Sequence, residues 1–393
     1  MRVALFHVED IQMAEQHHQS ADQAMRQGNL AGAIIWIERA VADDPADFDG
    51  WLKLAALRRA SRDLAGSLDA ANSALGVRPN ELIALTLKAT LHDQLGEIGR
   101  AAEVYRAVVR LADEENNLNP TLADQVVRAR AFLDNFGKRL GTTLKSMSDV
   151  DPVHQEKADR FLENVHERRP VYHQDPTHYR YPGLADIEYF DHAYPDLINR
   201  LRQAWPDIRA EYEALAAAHA DRLCPYVDFA PGQPMGQWAP LNRSPDWNVF
   251  HLIRYGELDP HNARLCPRTL EAMAGPHQAD VPGIAPNLLF SILAPKTRIP
   301  PHTGVGNFRT LLHLPLIVPE GCGFRVGADT RTWVEGCPWI FDDTIEHEAW
   351  NESDHYRIIM IADLWRPELD HQDRAIVRNF IRAQAANSEI GAL

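Results

Sequence analysis

Cysteine is scarce in this 393-residue chain: Cys224, Cys266, Cys322 and Cys337 are the only four, and they lie far apart. So few thiols make no disulfide framework, and reduced thiols are the expectation. Cys322 and Cys337 are the one pair that neighbouring strands would bring together. No apolar run reaches the roughly 18 residues that a membrane-spanning helix needs. The stretch from Met1 to Asp10 has no long apolar segment and meets acid early, so no secretory leader is expected and the cytoplasm is the expected compartment. Basic charge is also in deficit. Lys and Arg total 40 against 55 Asp and Glu, a formal net charge of −15, which argues against a general binder of nucleic acid or anionic membrane. A local basic pocket stays compatible with it. Material for a core is not lacking: 45% of residues are hydrophobic and 24% charged, globular values in a chain long enough for two or three domains.

Residues 1–140 read as helical and repetitive. Leu30, Leu64 and Ile98 are spaced by 34, as are Ala33, Ser67 and Ala101, then Ala40, Ala74 and Val108. Ala21, Ala55, Ala89 and Ala123 keep the same step, with turns at Gly28-Asn29, Arg62-Asp63 and Gly96-Glu97. Small residues at fixed places let paired helices approach closely. A helix–turn–helix unit of this period resembles the tetratricopeptide repeat. Three repeats are expected, then a capping helix with Leu122, Val126, Ala129 and Leu133 on one side. Such an α-solenoid offers a concave surface for a peptide or protein partner, or serves as a packing module.

Residues 141–180 mix proline, histidine, tyrosine and charge without period and read as a linker, with a helix over 155–168. From 181 to 369 a second domain is expected. Its first strong element is a helix over Leu197–His219. Strands follow at Trp247–Ile253, Leu288–Leu293, Phe308–Val318, Gly323–Val326, Arg331–Val334, Trp339–Phe341 and Tyr356–Trp365, with a short helix over Cys266–Met273. Many short strands punctuated by Gly, Pro, Asn and Asp suggest a double-sheet jelly roll of the cupin kind. Residues 370–393 are expected as a helix docked through Ala375, Ile376, Phe380 and Ile381, then a frayed tail.

The chemistry concentrates between Pro300 and Asp363. His302 and His347, 45 residues apart, suit two imidazole ligands of a non-haem iron. His302 is read as lying in a turn. The acid usual two residues after the first histidine is Gly304 here, so either Asp342 or Asp343 reaches in or water takes the place. Arg357, ten residues after His347 and followed by Ile358-Ile359-Met360-Ile361, is suited to a bidentate grip on a carboxylate inside the barrel. Trp247, Trp339 and Trp350 are candidates to line the cavity.

Residues 181–369 resemble the aspartyl/asparaginyl β-hydroxylase family, including members with N-terminal tetratricopeptide repeats. The matching words are Leu241-Asn242-Arg243-Ser244-Pro245-Asp246-Trp247, Ile299-Pro300-Pro301-His302-Thr303-Gly304, His313-Leu314-Pro315-Leu316, Gly321-Cys322-Gly323-Phe324-Arg325-Val326-Gly327, Ile340 to Trp350, and Tyr356-Arg357. The resemblance implies a double-stranded β-helix and an iron(II)- and 2-oxoglutarate-dependent dioxygenase that uses O2. It hydroxylates an unactivated carbon, such as the β-carbon of an Asp or Asn in a peptide or protein. It implies iron on His302 and His347 with water in place of a carboxylate. It implies 2-oxoglutarate on Arg357, Ser291 and His313, and substrate contact at Arg309 and Trp247. A second substrate arginine of the animal enzymes is Leu311 here, which sets the animal substrate in question. The contrasting readings are a repeat scaffold with an inactive barrel, and a cupin-type metal enzyme without 2-oxoglutarate. The latter has no need of Arg357.

Overall fold

The structure is a computed structural model, and it describes residues 8–115, 117–147, 152–165 and 168–387. The chain divides into two compact units, Met1–Arg168 and Arg169–Leu393.

The first unit is helical. Three hairpins follow one another: α1 (Val8–Arg26) with α2 (Leu30–Asp43), α3 (Phe48–Ala60) with α4 (Leu64–Val77), and α5 (Leu82–Gln94) with α6 (Ile98–Glu114). The longer α7 (Pro120–Met147) and α8 (Pro152–Val165) complete it. The 34-residue period has a direct physical reading here. Gly28, Arg62 and Gly96 all take positive φ, at 73°, 68° and 75°, and turn the chain between paired helices. Asn29 and Asp63 cap the following helices by accepting from the N–H groups of Gly32 and Gly66. Ala33, Ser67 and Ala101 are fully buried at the contacts, as are Ala40, Ala74 and Val108. Within the expected linker, α7 runs past residue 140, and the helix expected over 155–168 is found as α8, three residues earlier.

The second unit opens with α9 (Pro195–Ala218). Strands β1 (Cys224–Pro225), β2 (Trp247–Arg254) and β3 (Glu257–Leu258) precede short helices α10 (Pro260–Leu265) and α11 (Pro267–Met273). Then come β4 (Leu288–Leu293), β5 (Thr297–His302), β6 (Arg309–Ile317), β7 (Cys322–Val326), β8 (Asp329–Arg331), β9 (Trp339–Phe341), β10 (His347–Asn351) and β11 (Arg357–Trp365), closed by α12 (His371–Asn387). The larger sheet runs β1-β2-β4-β11-β6-β9 with β3 beside β2; the smaller runs β5-β10-β7-β8. All these pairings are antiparallel.

Alternation along the strands separates two environments. Phe250, Phe290, Leu312, Leu314, Ile358 and Met360 face α9 and form an apolar core with Leu201, Ile208 and Tyr212. Full burial of each such side chain contributes about 1.5–3 kcal/mol. The opposite parity, including Val249, Leu289, Leu293, Ile359 and Ile361, packs with Phe324, Val326 and Ala349 of the smaller sheet. The helix-side core fixes the larger sheet, and its other face is left to carry polar groups.

Three expectations need correction. His302 does not sit in a turn; it ends β5. That strand contains Pro300 and Pro301, which cannot donate to a ladder, and it is accordingly an edge strand paired only with β10. Of Arg331–Val334, only Arg331 is in a strand. α12 docks through Val377 and Ile381, while Ile376 and Phe380 are exposed; the frayed tail from 388 onward lies outside the described residues. Cys322 and Cys337 are free thiols, one buried and one exposed, in line with the expectation of reduced thiols.

Candidate active site

The space between the sheets opens into a cavity of about 920 Å³. Strand register brings its polar groups together. His347 opens β10 and pairs directly with His302 at the end of β5. Their rings lie 4.0 Å apart, centroid to centroid. His302 Nδ1–H donates to the Pro300 carbonyl at 2.7 Å, and His347 Nδ1–H to the Ile345 carbonyl at 3.0 Å. A carbonyl only accepts, so each Nδ1 carries the proton and each Nε2 keeps its lone pair. Both rings line the cavity. Burial pushes the His302 pKa down to about 4 and that of His347 well below its ordinary value, so both imidazoles are neutral, the form that binds metal. Trp238 stands edge-on to His302 at 4.7 Å.

Gly304 and Asp343 are complementary. The Gly304 N–H donates to the Asp343 backbone carbonyl at 2.6 Å, and a Cβ at Gly304 would collide with the Asp343 carboxylate. Asp343 thus occupies the volume that a side chain at residue 304 would take. Its Oδ2 accepts from Arg309 at 2.9 Å, and its Oδ1 is buried without a partner. Burial pushes its pKa up to about 7 against the opposing charge of Arg309. Asp342 points away from the cavity. It pairs with Arg366, both fully buried, and accepts from Gln174 Nε2 at 2.9 Å and Thr344 Oγ1 at 2.6 Å. Among the described residues, no group of three or more His, Cys, Asp or Glu is arranged to hold a metal ion.

Arg357 starts β11 and is 2% exposed. Among the described residues, no carboxylate meets it. One Nη donates to Ser291 Oγ at 3.3 Å, the guanidinium lies 5.0 Å from the Trp333 ring centroid, and Nε is buried without a partner. Burial alone draws its pKa down to about 10. Ser291, on β4, also accepts from Trp247 Nε1 at 3.0 Å. Two donors onto one hydroxyl oxygen leave its own O–H to donate into the cavity. His313, on β6, lines the same space; its Nδ1 is buried and unpartnered, and burial together with the charge of Arg357 keeps it neutral.

The structure therefore gathers His302, His347, Arg357, Ser291, His313, Arg309 and Trp247 around one cavity. Trp247 is 4% exposed, stacked on Tyr226 at 3.9 Å. Trp339 and Trp350 do not line it. Trp350 alternates with the inward-facing His347, Ala349 and Asn351, and lies over Gly323 beside Arg298. Trp339 packs in the aromatic cluster of Trp333 and Phe324. The sequence reading did not single out Asp363, Trp238, Tyr226 and Trp333. Only Asp363 carried a signal: it shares the odd-numbered face of β11 with Arg357.

Residues 202–367 match the family model described as Aspartyl/Asparaginyl beta-hydroxylase. This region resembles that family. Similar proteins include the mouse aspartyl/asparaginyl beta-hydroxylase, 34% identical over 46% of this chain and 23% of its own length. Human aspartate beta-hydroxylase domain-containing protein 2 is 30% identical over 51% of this chain and 53% of its own. The ornithine lipid ester-linked acyl 2-hydroxylase of Rhizobium tropici is 30% identical over 48% and 64%. The match thus spans between 23% and 64% of these relatives. Helical repeat structures align as well, among them the TPR2B domain of yeast Sti1 in complex with an Hsp70 peptide, at 20% identity and a TM-score of 0.27 over 30% of this chain and 96% of that one. No described helix is long and apolar enough to cross a membrane.

Proposed function

We propose that the second unit is an iron(II)- and 2-oxoglutarate-dependent hydroxylase built on a double-stranded β-helix. Iron(II) with 2-oxoglutarate and O2 supplies the chemistry: a substrate C–H becomes C–OH, and 2-oxoglutarate becomes succinate and CO2. The observation that carries the reading is Arg357, a buried cation with no carboxylate partner among the described residues, its Nε unsatisfied. Such a group is costly to leave unpaired and is suited to a bound anion.

The residues divide the work. His302 and His347 present two neutral Nε2 atoms on adjacent strands, each ring locked by a backbone carbonyl, an arrangement that suits a metal held by two imidazoles with solvent beside it. Arg357 and the Ser291 hydroxyl grip the distal carboxylate of 2-oxoglutarate, and the Trp247 indole N–H orients that hydroxyl. Neutral His313 borders the cosubstrate. Trp238 and Trp247 exclude water around His302. The substrate carbon enters through the remaining cavity, walled by Leu289, Leu311, Ile361 and Tyr226.

The substrate in this reading is a side chain of a peptide or protein, Asp or Asn among them, with the repeats serving recruitment. A groove between α4, α5 and α6 lined by Asn72, Lys88 and Arg100 supports that role. A second reading, an acyl chain, is favoured by the apolar wall and by the likeness to an enzyme named an acyl hydroxylase. Oxygen consumption with iron(II) and 2-oxoglutarate tests the class. Slow uptake matched by equal succinate supports it; uptake that is absent, or the same without 2-oxoglutarate, counts against it.

A further inference from the structure

Arg309 is one of the cations that line the cavity, but it is already engaged. One Nη donates to Asp363 Oδ1 and the other to Asp343 Oδ2 at 2.9 Å. Its Nε N–H is buried without a partner. The guanidinium is 11% exposed and its partners 3% and 2%. The carboxylates are themselves fixed. Asp363 Oδ2 accepts from the Asn287 backbone N–H at 2.8 Å and from its side-chain amide at 2.6 Å. Asp343 sits against Gly304. With a carboxylate already on each arm of the fork, a third carboxylate would have to displace one of them to take a bidentate grip. Two acids around one base leave the local cluster without a net positive charge to attract an approaching anion. Two residues along the same strand face, Leu311 presents only an apolar surface to the cavity.

From this we infer that Asp363 and Asp343 set the substrate class: by holding Arg309 between them they make the cavity take an uncharged group, an amide or an alkyl chain, and reject a carboxylate. This deepens the hydroxylase reading and rests on it for the identity of the bound group as substrate. Asp363 and Asp343 are specificity-determining residues, and Arg309 is a structural cation rather than a substrate clamp. Of the peptide side chains, Asn fits and Asp does not; an acyl chain fits as well.

The test reads binding rather than turnover, so it stands or falls separately from the hydroxylase assay. Hexanoate and hexanamide, equal in length and differing in charge, are titrated against the full chain and followed by tryptophan fluorescence. The background is Arg357→Met, which removes the other buried cation without assuming that 2-oxoglutarate binds there. On that background hexanamide is expected to bind at least as tightly as hexanoate. Adding Asp363→Asn is expected to tighten hexanoate at least tenfold relative to hexanamide, and adding Arg309→Met to abolish the gain. Because Asp363 is buried between two elements, Asp343→Asn provides a second, independent release of the guanidinium with the same expectation. Tenfold preference for hexanoate before either release overturns the proposal. So does a ratio that neither release changes by more than twofold, and so does the absence of saturable binding by both ligands.

Discussion

Replacing Arg357 by Met separates two effects that usually travel together. In the empty protein the guanidinium is buried without a counter-charge, and burial lowers its pKa from 12.5 to about 10. At about 1.4 kcal/mol per unit, that shift is worth roughly 3 kcal/mol against the charged form. Its contact with Trp333, 5.0 Å from the ring centroid, returns up to about 2 kcal/mol. Methionine fills similar space and needs no partner. Arg357→Met is therefore expected to be about 1 kcal/mol more stable than wild type without ligand, by urea denaturation. Binding of 2-oxoglutarate moves the opposite way. Losing one member of a buried charge pair costs about 3–5 kcal/mol, which weakens affinity by about 10²–10⁴. Calorimetry under nitrogen, with zinc(II) in place of iron, reads both affinities. Metal affinity is expected to stay within threefold. A variant that loses stability and metal together, with 2-oxoglutarate affinity weakened less than fivefold, would refute the reasoning and make Arg357 a packing residue.

Gly304→Ala should weaken metal binding at least tenfold, because any Cβ there displaces the Asp343 carboxylate lying against it; the fold should lose about 1–3 kcal/mol, and circular dichroism on melting checks that. Asp342→Ala should cost about 3–5 kcal/mol by the same denaturation assay, since it strands the fully buried Arg366. Stability of the metal-free protein should fall on acidification. Burial holds His251 neutral, with a pKa of about 4 against an ordinary 6.5. The unfolded state then binds the extra proton between those values, so the contribution is full above pH 6.5 and is lost progressively toward pH 4. For His251 alone the loss is at most about 3 kcal/mol, and His251→Phe should flatten that part of the profile.

The repeats were legible because their signal is local. Alanines at a fixed 34-residue step and turn residues at Gly28, Arg62 and Gly96 need no tertiary knowledge. The long apolar strands β4, β6 and β11 were legible for a similar reason. β5 and β10 were not. Two prolines disguised the first, and His347-Glu348-Ala349-Trp350-Asn351 places only a small apolar residue inward. The histidines and Arg357 could be named from residue type and family likeness, yet what surrounds them depends on register. Asp363 reaches Arg309 across 54 residues of sequence because β6 and β11 pair with Trp365 opposite Arg309. No spacing rule predicts that pairing. The same holds for Asp343, whose place beside Gly304 follows from a loop folding back on a strand end.

The claim that two histidines alone supply the protein's metal ligands is open to one direct measurement. Equilibrium dialysis with manganese(II) should give one ion per wild-type chain, none for His302→Ala or His347→Ala, and one, with affinity within tenfold of wild type, for both Asp342→Asn and Asp343→Asn. Loss of the ion in either aspartate variant would contradict the account and place a carboxylate on the metal.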